Sequence, residues 1–476
     1  MEATDARTSA TPHLQSAASS RWLILAALGA AQFMLIIDLT VLNVALPTIA
    51  RDLQLDRATL TWVATIYTLL FGSLLLLGGR LADTIGRRRA FLTGLGVFTL
   101  ASLASGLAPD GTMLILARIG QGIGAALLSP AALSIITTVF TGADRTGALA
   151  IWAALGGSGA VAGVILGGLL TEGPGWPWVF FINIPVGLGV AVAVARVVPA
   201  EPPSAASGID LPGALAITAA ISLLLYGLIN AGEAGWLALG TLLPIALAII
   251  AGAAFALIER RAALPLLPLG ILAKSQLAGA LHVLIVFSAL LGGATFLGSL
   301  YAQRTLGMSA LETGLTFVPF AVAVIIGAQG GAHAIGHLGP RRVAALGLAL
   351  AAIGAGLLSQ VPTNGDVLID VLPGFILIAL GLGATAVAAN TSAFLGVTET
   401  DAGVTSGLVN TAHELGIAIG VSVLSTIAGA SLASDPSIVD GYRAGFLAAA
   451  IAAVGVALLA FRSLPREAPG GGQLIH

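Results

Sequence analysis

The chain has no cysteine and a single lysine among its 476 residues, and only 9% of its residues are Asp, Glu, Lys or Arg. Without cysteine it cannot form disulfides, zinc fingers, iron–sulfur clusters or a thiolate nucleophile. The residues before Lys274 do not form the Gly-x-x-x-x-Gly-Lys loop that binds ATP phosphates. A net charge of −2 gives no basic surface for nucleic acid. We therefore expect neither a nucleic acid nor a cofactor as a partner, and no ATP-driven pump.

Hydrophobic residues dominate the composition instead. They make up 57% of the chain, the mean hydropathy is +1.01, and 62 residues are glycine. A soluble domain cannot cover so much apolar surface, and abundant glycine is typical of helices that pack closely in a bilayer. A spanning helix needs about 20 apolar residues. The apolar runs between charged or Gly/Pro-rich segments predict an all-α polytopic membrane protein with 14 transmembrane helices.

The basic residues predict the orientation of these helices, because cytoplasmic loops are enriched in Lys and Arg. Placing the N-terminus inside leaves 15 basic residues on the cytoplasmic side and 4 outside. The inside set is Arg7, Arg21, Arg80, Arg87, Arg88, Arg89, Arg145, Arg196, Arg260, Arg261, Lys274, Arg341, Arg342, Arg462 and Arg466. The outside set is Arg51, Arg57, Arg304 and Arg443. Both termini are therefore predicted to be cytoplasmic, and the bias toward Arg, Ala and Gly suggests a bacterial cytoplasmic (inner) membrane.

Two loops indicate an internal repeat. In 81–88 and in 334–342, a glycine and a pair of basic residues follow the end of an apolar run on the predicted cytoplasmic side. Such repeats are typical of transporters built from two similar bundles. Aligning the two loops divides the predicted helices into a first set of six, an insertion of two helices, and a second set of six. The predicted divisions are a disordered cytoplasmic tail at 1–21, a six-helix bundle at 22–198, a linker with two additional helices at 199–275, a second six-helix bundle at 276–461 and a cytoplasmic tail at 462–476.

Three ionisable side chains lie well inside the predicted spans: Asp38, Arg118 and Glu414. A charge at the bilayer centre costs about 2.5–3.5 kcal/mol on insertion scales, so each is expected to have a function or a partner. At a rise of about 1.5 Å per residue, Asp38 and Arg118 lie at a similar depth. Asp38 is a candidate proton carrier or, alternatively, half of a structural ion pair with Arg118. Glu414 is a candidate second proton or cation site, or a residue wetted from the cytoplasm.

Four motifs resemble those of a known transporter family. They are Asp38–Pro47 in span 1, Gly79–Arg88 after span 2, Leu116–Ala125 in span 4 and Gly159–Gly168 in span 5. On these motifs the chain is similar to the 14-helix drug:proton antiporter group of the major facilitator superfamily. The resemblance covers nearly the whole chain. It implies two bundles that rock about a central path and carry out no enzymatic reaction.

The second motif predicts a cytoplasmic gate formed by Asp83, Gly86, Arg87 and Arg88. Gly86 permits a tight turn between helices. The carboxylate and the arginines can form an ion-pair latch that breaks as the bundles rock. The alternative is that the basic residues only enforce topology. In the second copy Gly336 replaces the aspartate, so a latch there must be weaker or built differently.

The fourth motif places Gly159, Gly163 and Gly167 on one stripe of a helix, which permits close approach of another helix. The family group usually has proline where this chain has Val164, so the helix is expected to be straighter. Pro177 likewise stands where the group usually has arginine.

Polar residues of both bundles form the candidate substrate cavity: Asp38, Asn43, Arg118, Gln121, His282, Asn410 and Glu414. Asp38 and Glu414 are the candidate proton-coupling residues. His333 and His337 have the i, i+4 spacing of metal ligands, but no third ligand accompanies them in the sequence, so no metal site is predicted.

These features predict a monomeric, proton-coupled antiporter that exports amphipathic, cationic drugs or toxic compounds. Its expected partners are a small-molecule substrate, protons and the lipid bilayer. A dedicated exporter of a self-made metabolite, antibiotic or lipid-like molecule has the same fold and stays open as an alternative. A non-transporting membrane scaffold is disfavoured, because a scaffold has no need of charges at the midplane.

Overall fold

The computed structural model describes residues 11–199, 210–262, 265–267, 270, 275–308, 310–398, 401–434 and 438–466. Most of the predicted linker, 200–209, and the outer parts of both predicted tails lie outside these residues. The helices are α1 (Thr11–Asp52), α2 (Arg57–Ile85), α3 (Arg87–Gly106), α4 (Gly111–Val139), α5 (Gly142–Glu172), α6 (Trp178–Phe181), α7 (Asn183–Val197), α8 (Leu211–Ala234), α9 (Leu239–Glu259), α10 (Ser275–Arg304), α11 (Ala310–Thr316), α12 (Val318–Leu358), α13 (Leu372–Ala393), α14 (Ala402–Ser434) and α15 (Ile438–Ser463). A π-helix, Val367–Val371, precedes α13.

Twelve helices of the described part of the chain are long and apolar enough to cross a membrane. One of them, Glu312–Leu358, has 47 residues. It contains Gly339 with a φ of 76°, so its two arms are separate helices joined by a turn. The 31-residue α5 is a further helix of spanning length outside these twelve. The all-helical, multi-pass class is confirmed for the described residues, and the number 14 stays a prediction.

The first helix begins earlier than the sequence predicts. The tail was expected to be disordered through residue 21, whereas α1 begins at Thr11. Once a helix is nucleated, each added residue gains one hydrogen bond for little further entropy, so an apolar spanning helix can extend into the polar residues before it.

Two turns of the same kind confirm that the loops of the internal repeat are alike in structure. Gly86 separates α2 from α3 with a φ of 95°, and Gly339 separates the arms of α12 with a φ of 76°. Both values lie in the left-handed region, which glycine adopts without steric cost. A β-carbon at either position would strain the turn that reverses the chain.

One arginine in each loop binds the last long helix of its own bundle. Arg88, two residues after Gly86, donates from Nη2 to the carbonyl oxygen of Ala195 near the end of α7. Arg341, two residues after Gly339, donates from Nε to the carbonyl oxygen of Leu464, just after α15, at 2.8 Å. Carbonyl groups at helix C-termini lack partners within the helix and attract cations. The two equivalent arginines thus join the loop of each bundle to the C-terminal end of a helix in the same bundle.

The helices form two bundles, α1–α7 and α10–α15, that meet along two lines of contact. α2 packs against α14, and α5 packs against α12. Within the first bundle the glycine stripe of α5 lies against α1, where a Cβ on Gly163 would be 1.6 Å from Thr40 Oγ1. The inserted helix α8 contacts both α2 and α14, and α9 packs against α8. The insertion therefore lies over one of the two lines where the bundles meet.

Candidate substrate and proton site

Asp38 of α1 lies in a buried polar network inside the first bundle. Arg118 Nη1 of α4 donates to Asp38 Oδ2 at 2.6 Å, and both side chains are fully buried. Gln121 Nε2, one turn further along α4, donates to Asp38 Oδ1 at 2.9 Å. The carboxylate and the guanidinium compensate each other's charge in a region where an uncompensated charge would be expensive. The structure thus brings together three predicted cavity residues.

The network extends to Asn183 and Ser102, two residues outside the set of predicted site residues. Asn183 Nδ2, at the start of α7, donates to Asp38 Oδ1 at 2.7 Å. Ser102 Oγ of α3 accepts from Gln121 Nε2 at 2.9 Å. Asp38 therefore accepts hydrogen bonds from α4 and α7. A change in its protonation would alter contacts among several helices of the bundle at once.

Arg118 has donors that the network does not use. Its Nε and Nη2 atoms are buried and have no hydrogen-bond acceptor among the described residues. Its guanidinium lies over the ring of Tyr67 of α2, 4.4 Å from the centroid, in a cation–π contact. Donors of this kind can bind water or an acceptor group of a substrate. Tyr67 also lies within electrostatic range of Asp38 and Glu414.

Glu414 lies in α14 of the second bundle, at the contact with α2. A Cβ on Gly72 of α2 would lie 3.5 Å from Glu414 Cβ and 3.8 Å from Cγ. Among the described residues Glu414 has no ion-pair partner. The neighbouring His413 points to α10, where its Nδ1 is 2.7 Å from Ser288 Oγ and its ring stacks on Phe287. Within the described part of the chain, no fixed cation therefore neutralises the carboxyl of Glu414.

The remaining predicted cavity residues are placed differently. His282 is exposed, and its Nδ1 lies 2.6 Å from the carbonyl oxygen of Ala278 in its own helix. Asn410 is buried and donates to the carbonyl oxygen of Ser406, also in its own helix, at 3.0 Å. The side chain of Asn43 lies outside the described side chains. These residues do not join the Asp38 network through any described contact.

The predicted gate residue Asp83 closes the contact between α2 and α14. Its two carboxylate oxygens accept from the backbone N–H groups of Gly403 and Val404, each at 3.0 Å. These amides belong to the first turn of α14, where N–H groups lack partners in the helix and the helix dipole attracts an anion. Asp83 thus contacts a helix N-terminus across the gate, and an ion pair of Asp83 with the arginines stays a prediction.

Backbone contact makes this gate tight. A Cβ on Gly79 would lie 2.2 Å from the carbonyl oxygen of Gly403, so the two helices meet at glycines. Between α5 and the end of α13, the guanidinium of Arg145 lies 5.5 Å from the ring centroid of Phe394. Both pairs join the two bundles at the end predicted to be cytoplasmic. That end is closed in this structure.

Replacing Asp83 with asparagine is expected to open this end. The amide can accept at only one atom and presents N–H groups to the second backbone amide, so a charge-assisted pair of hydrogen bonds is lost. Since the chain has no cysteine, Ser406→Cys gives a single reporter at a buried position of α14. We expect its labelling by a membrane-impermeant maleimide in everted vesicles to be roughly tenfold faster with Asp83→Asn, as ~1.4 kcal/mol of lost stabilisation implies.

Asp401→Asn is the matched control for this measurement. Asp401 precedes α14 and accepts from Thr398 Oγ1 in its own loop at 2.8 Å, so it has no described contact across the gate. Its substitution should leave the labelling rate unchanged. Equal rates for Asp83→Asn and the parent protein would contradict the gating role of Asp83.

The comparisons with known proteins agree with this geometry. A family model described as Major Facilitator Superfamily matches residues 28–421. The lincomycin resistance protein of Streptomyces lincolnensis is 39% identical over 416 residues, which cover 86% of this chain and 84% of that protein. The cephamycin export protein of Amycolatopsis lactamdurans is 37% identical over 454 residues, which cover 94% and 93%. The crystal structure of the human organic anion transporter TETRAN has the same fold, with a TM-score of 0.67 at 13% identity, covering 92% of this chain and 99% of that one.

Proposed function

The chain belongs to the major facilitator superfamily, and we propose that it is a drug exporter that exchanges amphipathic, cationic compounds for protons by alternating access. Its relatives include antibiotic resistance and export proteins matched over more than four fifths of their length, which supports export of small molecules. The observation that supports proton coupling is the buried Asp38–Arg118 contact, 2.6 Å long, in the first bundle.

Asp38 can bind a proton, Arg118 or a cationic substrate, and these partners compete. A proton on Asp38 removes its charge and weakens its bond to Arg118. A cationic group near the carboxylate has the opposite effect, since it favours loss of the proton. Alternating between these states gives exchange of a proton for a cation. Glu414 supplies a second carboxyl for the same cycle on the second bundle.

The energy of the proton gradient is sufficient for this exchange. One elementary charge moving through 100 mV gains about 2.3 kcal/mol, and a tenfold solute gradient costs about 1.4 kcal/mol. One proton entering in exchange for a neutral drug moves one net charge and can therefore maintain a drug gradient of tens-fold. Exchange of one proton for a monovalent cation moves no net charge, so the pH gradient alone drives it, and each pH unit, about 1.4 kcal/mol, maintains a tenfold drug gradient. No reaction on the drug is required.

The same proposal includes the arrangement in the membrane. The protein lies in the bacterial cytoplasmic membrane with 14 transmembrane helices, both termini in the cytoplasm, and it works as a monomer. The closed gate and both arginine-braced loops then lie on the cytoplasmic side. This orientation is supported by the distribution of basic residues along the chain.

Everted membrane vesicles test the proposal directly. A pH gradient is established by respiration, and a panel of cationic and neutral amphiphiles is added while the gradient is followed by fluorescence. We expect several cations to discharge the gradient only in vesicles that contain the protein. If cells expressing the protein extrude a compound that moves no protons in the vesicles, coupling to protons is wrong and export itself stands.

A dedicated exporter of one compound is the second candidate. It is favoured by the relatives, because the lincomycin and cephamycin proteins are each named for one antibiotic or antibiotic class. The breadth of the vesicle panel separates the two candidates. Discharge by a single chemical class supports the dedicated exporter, and discharge by unrelated cations supports the multidrug exporter.

A further inference from the structure

The inserted helix α8 covers the contact between the two bundles on which Glu414 lies. We call this contact the α2–α14 seam, formed by Gly72, Leu75 and Gly79 of α2 and by Gly403, Gly407 and Glu414 of α14. α8 packs on both helices, and α9 packs on α8. Hydrocarbon would otherwise reach the seam from this side. The insertion therefore occupies the position between the seam and the lipid.

Leu225 of α8 fills the point where the three helices meet. A Cβ on Gly72 would lie 2.8 Å from Leu225 Cδ1 and 3.5 Å from Glu414 Cβ. Leu225 is buried, as are Ile221 and Leu228 at the helical spacing of the same face. Because Gly72 has no side chain, Leu225 reaches the backbone of α2 directly beside Glu414.

Polar and aromatic contacts hold α8 on the seam. Ser422 Oγ of α14 donates to the carbonyl oxygen of Leu228 at 2.5 Å. Trp236 Nε1, just after α8, donates to Thr426 Oγ1 of α14 at 2.9 Å. On the other helix, Trp62 of α2 stacks on Tyr226 with centroids 6.5 Å apart. α8 is thus attached to both bundles where they meet.

We propose that Leu225 shields the carboxyl of Glu414 from the lipid, so that Glu414 exchanges protons only with the path between the bundles. A carboxylate that faces hydrocarbon is expensive, and a carboxyl that stays protonated for this reason cannot release its proton. Leu225 is as apolar as a lipid chain and does not itself stabilise a carboxylate, but it fills the seam, so neither lipid nor a lipid-soluble reagent enters beside Glu414 from the α8 side. Leu225 is a positioning residue in this role. The role matters for transport only if Glu414 carries protons, so it rests on the proposed function.

Carbodiimides of different solubility test the shield without relying on transport. The protonated carboxyl adds to a C=N bond of the reagent, and the product rearranges to a stable N-acylurea that is read at Glu414 by peptide mass spectrometry. We expect Leu225→Ala to raise the labelling rate by dicyclohexylcarbodiimide, which enters from lipid, roughly tenfold, because truncating a buried leucine leaves a cavity. Labelling by a water-soluble, cationic carbodiimide should not change. Leu225→Met, which fills the same space, should restore the slow rate.

Leu215→Ala is the matched control, since Leu215 lies on α8 but is 63% exposed. It should label at the wild-type rate. Equal labelling rates in all variants would overturn the shield. Faster labelling of Leu225→Ala by both reagents would also overturn it, because that result indicates a general loosening of the protein. If Leu225→Ala does not fold, Leu225→Val gives the same comparison with a smaller cavity. Proton coupling that survives Glu414→Gln would overturn the proposed role of Glu414 and leave the labelling result standing.

Discussion

Replacing Asp38 with asparagine is expected to abolish drug-driven proton movement and to lower the stability of the protein. The amide cannot carry the exchanged proton. It also turns one acceptor into a donor facing Arg118, Gln121 or Asn183, each of which donates to Asp38 in the structure. Removing one partner of a buried ion pair leaves a buried charge uncompensated, which costs about 3–5 kcal/mol. The pH gradient in vesicles and the thermal unfolding of the purified protein measure the two effects.

A double substitution separates the two effects of this change. Asp38→Asn with Arg118→Gln removes both charges, so the stability should recover in large part. Proton movement should stay absent, because no carboxyl is present to carry the proton. Asp38→Glu keeps the charge and should retain part of both properties. If Asp38→Asn transports and unfolds like the wild type, Asp38 is neither a proton carrier nor half of a required ion pair.

The ion pair at the centre of the first bundle is the part of the site that the sequence predicted best. The depth of Asp38 and Arg118 followed from counting residues along single helices, and their contact follows from the high cost of two separate charges in lipid. Asn183 and Tyr67 could not be chosen in the same way. They are uncharged, so burial gives no strong reason to single them out, and their positions depend on how α7 and α2 pack against α4.

At the gate, the sequence predicts the turns but not the partners of Asp83. Gly86 and Gly339 mark turns in the sequence, since each glycine stands between an apolar run and a basic pair. The partners of Asp83 are backbone amides of α14, which follow Asp83 by about 320 residues. A backbone amide has no signature in a sequence. The position of α8 over the α2–α14 seam could not be predicted from the sequence either. The hydropathy of α8 identifies a spanning helix but does not show which helices it packs against.

Replacing Glu414 with glutamine is expected to abolish proton movement while leaving the fold intact. Glu414 has no ion-pair partner among the described residues, so a neutral side chain of the same size leaves no buried cation uncompensated. We expect the stability to change by about 1 kcal/mol or less. This is the opposite of Asp38→Asn, which should affect both properties. The two carboxyls thus differ in a measurable way even if both carry protons.

Glu172→Gln, at the exposed end of α5, is the matched control for loss of one carboxylate. Glu172→Gln should leave the drug-driven proton movement in vesicles unchanged. Glu414→Asp should retain part of this proton movement, because the carboxyl is kept. A Glu414→Gln protein that is stable, exports drug and still moves protons would show that Asp38 alone couples drug export to proton movement. A Glu414→Gln protein that is strongly destabilised would show that the carboxyl has a structural partner. The combination that supports a proton site is normal unfolding with drug-driven proton movement reduced to the level of vesicles without the protein.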